Sequence, residues 1–208
     1  VDLMRRIIAN YGPYIRRWCD PLGLPFGVIV GFIATESAGV MAKPNAYDAT
    51  GLMQVTSITV YETIVGWRKE VREPMPASIV TEIRSKLPFL LETKPPSFST
   101  VKSKISSVIS TDASFNILAG CINLRWLCER FSTSGHVALF NRVLVSYNAG
   151  AFTTSQMVPG TKTQANKTVV DTTSLVNNSS VPMESRSYLV KMLGRDGFLD
   201  LYFKQKLV

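Results

Sequence analysis

The chain has 208 residues, of which 46% are hydrophobic and 18% are charged, and its formal charge is +8. This length and composition predict a single folded domain over residues 1–208 with a sizeable core, and they exclude a disordered chain. The charge favours contact with polyanions such as nucleic acid, anionic lipid or a bacterial envelope, without choosing among them.

Helical periodicity dominates the first part of the chain. Apolar residues recur on one face of Asp2–Tyr11, which predicts an amphipathic helix, and Pro13 is expected to open a second short helix that contains Trp18. Residues Pro25–Ser37 are apolar nearly all round and predict a buried central helix. The longest apolar run, Pro25–Ala34, lies within it and is far shorter than the roughly 20 residues of a membrane span. Because it is internal and closes at Glu36, no membrane span, signal peptide or anchor is expected.

The middle of the chain, residues 67–111, is interrupted by prolines. It keeps helical spacing in two stretches, Ile79–Leu87 and Phe98–Val108, and therefore predicts a helical insert more than a linker. Asp112 is the expected N-cap of a long helix that ends near Phe131.

The last part of the chain changes in composition. Residues 153–180 are rich in threonine, serine and asparagine, which predicts an exposed loop with room for a small β-hairpin around Thr168–Val170. A last helix is expected to start near Pro182 and to contain Tyr188. Together these elements predict a mainly α fold around one buried central helix.

The cysteines and the single histidine do not form a metal-binding pattern. Cys121 and Cys128 are two helical turns apart, about 10 Å of rise, which is too far for a disulfide. With Cys19 and His136 they fit no zinc spacing. We therefore expect buried free thiols, and neither a metal nor another cofactor.

Four short strings hold chemistry-bearing side chains in a fixed order. They are ES at residues 36–37 with GLMQV at 51–55, NILAG at 116–120, SYNAG at 146–150 and ESRSYL at 184–189. Each has a plain structural explanation when taken alone, since Glu36 can be a solvated helix end and the glycines can serve helix packing or a C-cap. The joint order and spacing are a stronger signal than any single string.

In this order the strings resemble the soluble lytic transglycosylase family, a branch of the lysozyme superfamily that includes goose-type lysozymes. The resemblance covers about residues 10–66 and 112–195, and the interval from Glu36 to Gly51 keeps the family spacing. It implies a lysozyme-like helical fold and cleavage of peptidoglycan between N-acetylmuramic acid and N-acetylglucosamine. The chain departs from the family at Asn45, where serine is usual, and in two long intervals that hold the insert and the loop.

The resemblance assigns roles to residues of these strings. Glu36 becomes the acid that protonates the leaving oxygen and then acts as base. Its place at the C-terminal end of an apolar helix suits this role, because burial and the helix dipole both disfavour its negative charge. Tyr188 supports Glu36, while Glu184 and Ser37 each have a structural role at a helix end as the alternative. The implied sugar contacts are Ser37, Asn45, Met53, Gln54, Tyr147, Asn148 and Tyr188.

The reaction type depends on the number of carboxylates. A hydrolase needs a second carboxylate to activate water or to attack the sugar. A lytic transglycosylase uses the substrate's own C6 hydroxyl and forms a 1,6-anhydro sugar. Between Glu36 and Gln54 the one other acidic residue is Asp48, so the sequence favours the transglycosylase. A goose-type-like muramidase with Asp48 as second carboxylate is the alternative.

Two other classes of function compete with an enzyme. A non-catalytic phage tail or wall-binding protein would not need Glu36, and a helical nucleic-acid binder would need a basic stripe that the scattered lysines and arginines do not form. The expected partners are therefore peptidoglycan glycan strands and not nucleic acid, and the expected state is a monomer. The expected place of action is the cell wall, reached through the periplasm or from a virion, as for a bacteriophage endolysin.

Overall fold

A computed structural model describes residues 1–132, 140–150, 172–177, 179 and 181–207. Within these residues the chain is mainly helical, which confirms the predicted fold class. The helices are α1 (Asp2–Cys19), α2 (Phe26–Ser37), α3 (Ser57–Glu70), α4 (Ala77–Lys86), α5 (Phe98–Thr111), α6 (Ala113–Arg130), α7 (Phe140–Ala149), α8 (Thr172–Asn177), α9 (Met183–Leu193) and α10 (Phe198–Lys204). The suggested hairpin around Thr168–Val170 lies outside the described residues.

Helix α2 is the buried centre of the fold. Its residues Ile29, Val30, Phe32 and Ile33 have no exposed surface, and it packs against α1, α9 and α10. Pro25 precedes it as N-cap, where the missing proline N–H costs no helical hydrogen bond. The sequence therefore placed this helix correctly, to within one residue at its start.

Two glycines let the C-terminal helices approach α2 closely. A Cβ atom at Gly27 would lie 2.4 Å from the ring of Tyr202, and one at Gly31 would lie 3.3 Å from Met192. The first distance is shorter than any real contact, so a larger side chain at Gly27 would displace α10. Helices α9 and α10 therefore cover this side of α2 because residues 27 and 31 have no side chain.

Helix α1 runs through Pro13 without a break, so the prediction of two separate helices is wrong. A proline inside a helix removes one hydrogen bond and costs about 3 kcal/mol. On both sides of the proline, buried residues pack toward α2 and α6, and each buried apolar side chain contributes roughly 1.5 to 3 kcal/mol. This burial outweighs the local cost, and the residues that provide it are Met4, Ile7, Ile15 and Trp18.

The proline-rich segment 67–111 contains the end of α3, then α4, a 3-10 helix at Pro88–Leu91, and α5. Helix α5 packs against α3 and α6 through Val101, Ile105 and Ile109. Asp112 then starts α6, since its Oδ1 atom accepts the Phe115 N–H at 2.9 Å. The buried side chains of these helices belong to the same apolar cluster as those of α1 and α2.

The region predicted as a loop at 153–180 is helical in its last part. Helix α8 lies at Thr172–Asn177, its Leu175 is buried, and it packs against α9. Residues 153–171 lie outside the described part of the chain. Helix α9 begins directly after Pro182, as the sequence predicts, whereas α10 has no counterpart among the predicted elements.

No single helix in the described ranges is long and apolar enough to cross a bilayer. The pair α5 and α6 passes a test of length and composition jointly, but the two helices are bent by 112° relative to each other.

Candidate active site

A cavity of about 590 Å³ lies where α2, α3, α6, α7 and α9 meet. It holds two carboxylates, Glu36 from α2 and Glu184 from α9, together with a lysine, Lys191. Most of the other lining side chains are polar, which suits a hydroxyl-rich ligand. They include Thr35, Asn45, Tyr47, Gln54, Thr56, Thr59, Asn123, Tyr147, Asn148, Ser187 and Tyr188.

Glu36 is half-buried at the wall of this cavity, next to the last residue of α2. Burial is the main cause that raises the pKa of its carboxyl from 4.5 to about 7. Two smaller effects oppose each other: a hydrogen bond from Tyr188 lowers this pKa, and the negative charge of Glu184 raises it. At neutral pH the carboxyl therefore exists in both forms, which is the condition for a group that first gives and then takes a proton.

Two tyrosines flank Phe32 beside this carboxyl. Tyr188 Oη donates to Glu36 Oε1 at 2.7 Å, and Tyr147 Oη donates to the Met53 carbonyl oxygen at 2.7 Å. The Phe32 ring meets the Tyr147 ring edge-on, with centroids 4.7 Å apart. Burial raises the pKa of both phenols well above the ordinary value, so both stay protonated donors at neutral pH.

One buried amide holds the loop that leads into α3. Asn116 Oδ1 accepts the Met53 N–H at 2.9 Å, and its Nδ2 donates to the carbonyls of Thr50 at 3.0 Å and Ile109 at 2.9 Å. Gly51 has a φ of +77°, and a Cβ atom there would lie 2.1 Å from Asn116 Nδ2. Both the backbone angle and the close approach therefore require glycine at this position.

Gln54 follows in this loop and lines the cavity. Its φ is +46°, and its Nε2 atom donates to the Gly51 carbonyl at 2.9 Å. Thr56 then caps α3 by accepting the Thr59 N–H at 3.2 Å. The loop thus turns sharply enough to present Gln54 to the cavity while its neighbours enter the core.

The structure brings most of the sequence-predicted site residues to this one cavity. They come from α2, from the loop before α3, from α7 and from α9, and they are Glu36, Asn45, Gln54, Tyr147, Asn148 and Tyr188. Asn45 also has a structural role, because its Oδ1 accepts the N–H groups of Tyr47 and Ala49. Asn148 Oδ1 accepts the Ser185 hydroxyl at 2.7 Å, which fixes the orientation of its amide.

Two predicted sugar contacts do not reach the cavity, which corrects the expectation. The Met53 side chain has no exposed surface, and it fills the space beside Gly120, where a Cβ atom would lie 2.6 Å from Met53 Cε. The Ser37 hydroxyl donates to the Ile33 carbonyl at 3.1 Å and accepts the Gly39 N–H at 3.2 Å. Met53 is therefore a core residue, and Ser37 stabilises the end of α2.

Asp48, the predicted second carboxylate, does not line the cavity either. Its Oδ1 atom accepts the Ser106 hydroxyl of α5 at 3.5 Å, and its own φ is +64°. The acid that shares the cavity with Glu36 is Glu184, on the exposed side of α9. Nearness in sequence favoured Asp48, whereas the packing of α9 on α2 brings Glu184 close.

Sequence reasoning missed several lining residues. On α9 the residues Ser187 and Lys191 lie three and seven positions after Glu184, so helical spacing from Glu184 through Tyr188 would have found them. Asn123 lies two turns after Asn116 on α6, and the same spacing would have placed it beside the loop. The others, Thr35, Tyr47, Ala49, Val55, Thr56 and Thr59, carry no pattern that marks them.

The three cysteines are free thiols, two of them buried. Burial raises the pKa of Cys19 to about 12 and that of Cys128 to about 11, so neither is a nucleophile at neutral pH. His136 lies outside the described residues. Among those that are described, no cluster of His, Cys, Asp or Glu side chains is arranged to hold a metal ion.

Comparison with protein-family models finds no match for this chain, and comparison with curated proteins finds none either. The chemistry of the site follows from its geometry. A mainly helical fold places a glutamic acid of raised pKa, held by a tyrosine, in a polar cavity of about 590 Å³. This arrangement suits acid–base cleavage of a glycan.

Proposed function

We propose that this protein is a peptidoglycan lytic transglycosylase of lysozyme-like fold. It cleaves the β-1,4 bond between N-acetylmuramic acid and N-acetylglucosamine in the cell wall and leaves a 1,6-anhydro-muramic acid end. The observation that carries the proposal is Glu36, whose pKa is raised to about 7 in a polar cavity. The resemblance of the four sequence strings to this family supports the same assignment.

The proposed reaction uses one carboxyl twice. Protonated Glu36 gives its proton to the bridging oxygen, the bond between C1 and that oxygen breaks, and the muramic acid ring becomes oxocarbenium-like. The Glu36 carboxylate then takes the proton of the C6 hydroxyl as O6 bonds to C1. Glu36 ends protonated, no water is consumed, and the two products together keep the mass of the substrate.

Neighbouring residues support both steps. The Tyr188 hydrogen bond to Oε1 holds the carboxyl in one orientation and leaves Oε2 for the sugar. Because Ser185 donates to the Asn148 oxygen, the Asn148 amino group is left to donate to a substrate oxygen. Tyr147 anchors α7 to the loop before α3 through the Met53 carbonyl and so keeps the two sides of the cavity together.

Digestion of purified sacculi is expected to release disaccharide-peptides that are lighter by one water than lysozyme products. The reason is that O6 of the substrate replaces water as the nucleophile. Mass spectrometry of the products from the first minutes of digestion measures this difference. Reducing-end muramic acid as the main product would contradict the anhydro route.

A muramidase is the second candidate, and the observation that favours it is Glu184. This second carboxylate lines the cavity of Glu36 and is close enough to raise its pKa. In a hydrolase Glu184 would activate water, so Glu184→Gln would remove any reducing-end product. Asp48→Asn serves as the matched control, because Asp48 contacts Ser106 and does not line the cavity.

The pH dependence of cleavage provides a further prediction. Glu36 must be protonated to start the reaction, so kcat/KM is expected to fall as the pH rises through about 7. Tyr188→Phe removes a donor that favours the charged form, and the fall should then move to higher pH. Glu184→Gln removes a negative charge that favours the neutral form, and the fall should move to lower pH.

These two shifts of opposite sign are measured as pH–rate profiles of sacculus clearing. Asn10→Ala, an exposed position on α1, is the control and should superimpose on the wild-type profile. Shifts in the same direction for both variants would show that Glu36 is not the group that titrates.

A further inference from the structure

Asn123 has no role in the proposed reaction, and its amide faces the cavity. It lies on α6, it is 8% exposed as a whole residue, and it lines the cavity of Glu36. Within the described part of the chain its side chain makes no hydrogen bond. Its amide nitrogen and oxygen are accessible from the cavity, so they can bond to a ligand there.

A second asparagine on the same helix, Asn116, shows the bonding of an amide that serves the structure. Asn116 lies seven residues earlier, which is nearly two helical turns, so both side chains project from the same face of α6. Asn116 is fully buried, and both ends of its amide are bonded to the backbone of neighbouring segments. Asn116 therefore fixes the loop, and Asn123 presents an unused donor and acceptor to the cavity.

One wall of the cavity is formed by α3 and the loop before it. This wall carries groups that can contact a ligand bound to Asn123. Helices α3 and α6 pack against each other, and Val55, Thr56 and Thr59 line the cavity with Asn123. The Thr56 and Thr59 hydroxyls bond to each other at 2.8 Å. This wall is neutral, in contrast to the α9 wall with Glu184 and Lys191. A neutral ligand group with a donor, an acceptor and a small apolar end suits it.

We propose that Asn123 is a specificity-determining residue that recognises the 2-acetamido group of a sugar ring. The Asn123 amino group donates to the acetamido carbonyl, and the Asn123 oxygen accepts the acetamido N–H, because the two amides are complementary. Both sugars of peptidoglycan carry this group, whereas deacetylated glycans carry an amine in its place. The inference rests on the proposed function and adds the residue that recognises the acetamido group of its substrate.

The test changes the enzyme and the substrate together. Wild type, Asn123→Ala and the control Asn10→Ala are assayed for kcat/KM on sacculi, on the same sacculi after chemical N-deacetylation, and after re-acetylation. Asn123→Ala is expected to reduce the preference for acetylated over deacetylated sacculi by about tenfold, the value of one buried hydrogen-bonded pair. Re-acetylation of the sacculi should restore the kcat/KM that wild type shows on untreated sacculi. Asn10→Ala should match wild type on all three substrates.

A second variant guards against a folding defect. Asn123→Leu keeps the size of the side chain and loses both the donor and the acceptor without adding a charge, and it is expected to show the same loss of preference with thermal unfolding close to that of wild type. An unchanged preference in both variants would overturn the inference, even if overall activity fell.

A failure of the proposed function can be distinguished from a failure of this inference. If wild type cleaves no glycan, equilibrium binding of chitooligosaccharides to wild type and to Asn123→Ala measures the recognition directly. Weaker binding of the variant to acetylated but not to deacetylated oligomers supports the inference without catalysis. Equal binding of both proteins to both oligomers rejects it.

Discussion

Glu36→Gln is expected to reduce the rate of wall cleavage by at least about a thousandfold. Glutamine has the shape of glutamic acid and can still accept the Tyr188 hydrogen bond, but it cannot transfer a proton to the leaving oxygen or take one from the C6 hydroxyl. Sacculus clearing under first-order conditions measures this loss. A variant with a substantial fraction of wild-type activity would show that the acid is another residue, and Glu184, the other carboxylate of the cavity, would be tested next.

The same variant is expected to gain stability as it loses activity. The Glu36 pKa is about 7 in the folded protein and near 4.5 when the side chain is solvated. The stability that the neutral Glu36 carboxyl contributes is therefore fully present below about pH 4.5, and it is lost as the pH rises through about 7. Glutamine does not titrate. The free energy of unfolding of Glu36→Gln should therefore exceed that of wild type by about 2 to 3 kcal/mol at pH 8 and equal it at pH 4.

Denaturant unfolding at these two pH values tests the gain, with Glu62→Gln as the control, because Glu62 is exposed and does not line the cavity. Equal free energies of unfolding for Glu36→Gln and wild type at pH 8 would mean that burial does not disfavour the ionised carboxyl. A glutamate retained against a cost in stability is what an acid–base role requires.

Asn116→Ala is expected to lower the free energy of unfolding by about 3 to 5 kcal/mol. It leaves the Met53 N–H and the carbonyls of Thr50 and Ile109 without their partner in a fully buried place, and each such group costs about 1 to 3 kcal/mol. Denaturant unfolding measures the loss. Asn10→Ala, an exposed asparagine on α1, should change stability by less than about 0.5 kcal/mol.

A double variant with Gly51→Ala sharpens this prediction. A Cβ atom at residue 51 collides with the Asn116 side chain, so Gly51→Ala alone should be strongly destabilised. In the Asn116→Ala background the collision is absent and only the cost of the positive φ is left. The double variant should therefore lose less than the sum of the single losses, and additive losses would contradict the contact.

The sequence could predict those elements whose local signals agree with the tertiary packing. Helix α2 is apolar all round and is the buried centre, and Asp112 caps α6 as its side chain suggests. Pro13 is a strong local signal for a helix boundary, yet burial of residues on both sides carries α1 through it. Helix α8 lies in a polar stretch, and a single apolar pair containing Leu175 is too little to mark it.

The sequence strings predicted which segments form the candidate site. They did not predict which side chains of those segments face the cavity. Met53 and Gln54 are adjacent in one string, yet Met53 enters the core and Gln54 faces the cavity. Only the positive φ at Gln54, which a sequence does not display, separates them. Asp48 and Glu184 differ in the same way, because distance along the chain does not give distance across the cavity.

Glu36 and Tyr188 are in contact although they lie 152 positions apart in the chain. The site can therefore form only after the C-terminal helices have been synthesised. A ribosome releases the α2 residues long before α9 and α10, which bury them and supply the phenol hydroxyl. A nascent chain therefore carries Glu36 as an ordinary solvated carboxylate with a pKa near 4.5, ionised and unable to act as an acid. Under the proposed function, the acid therefore forms late, when α9 packs onto α2.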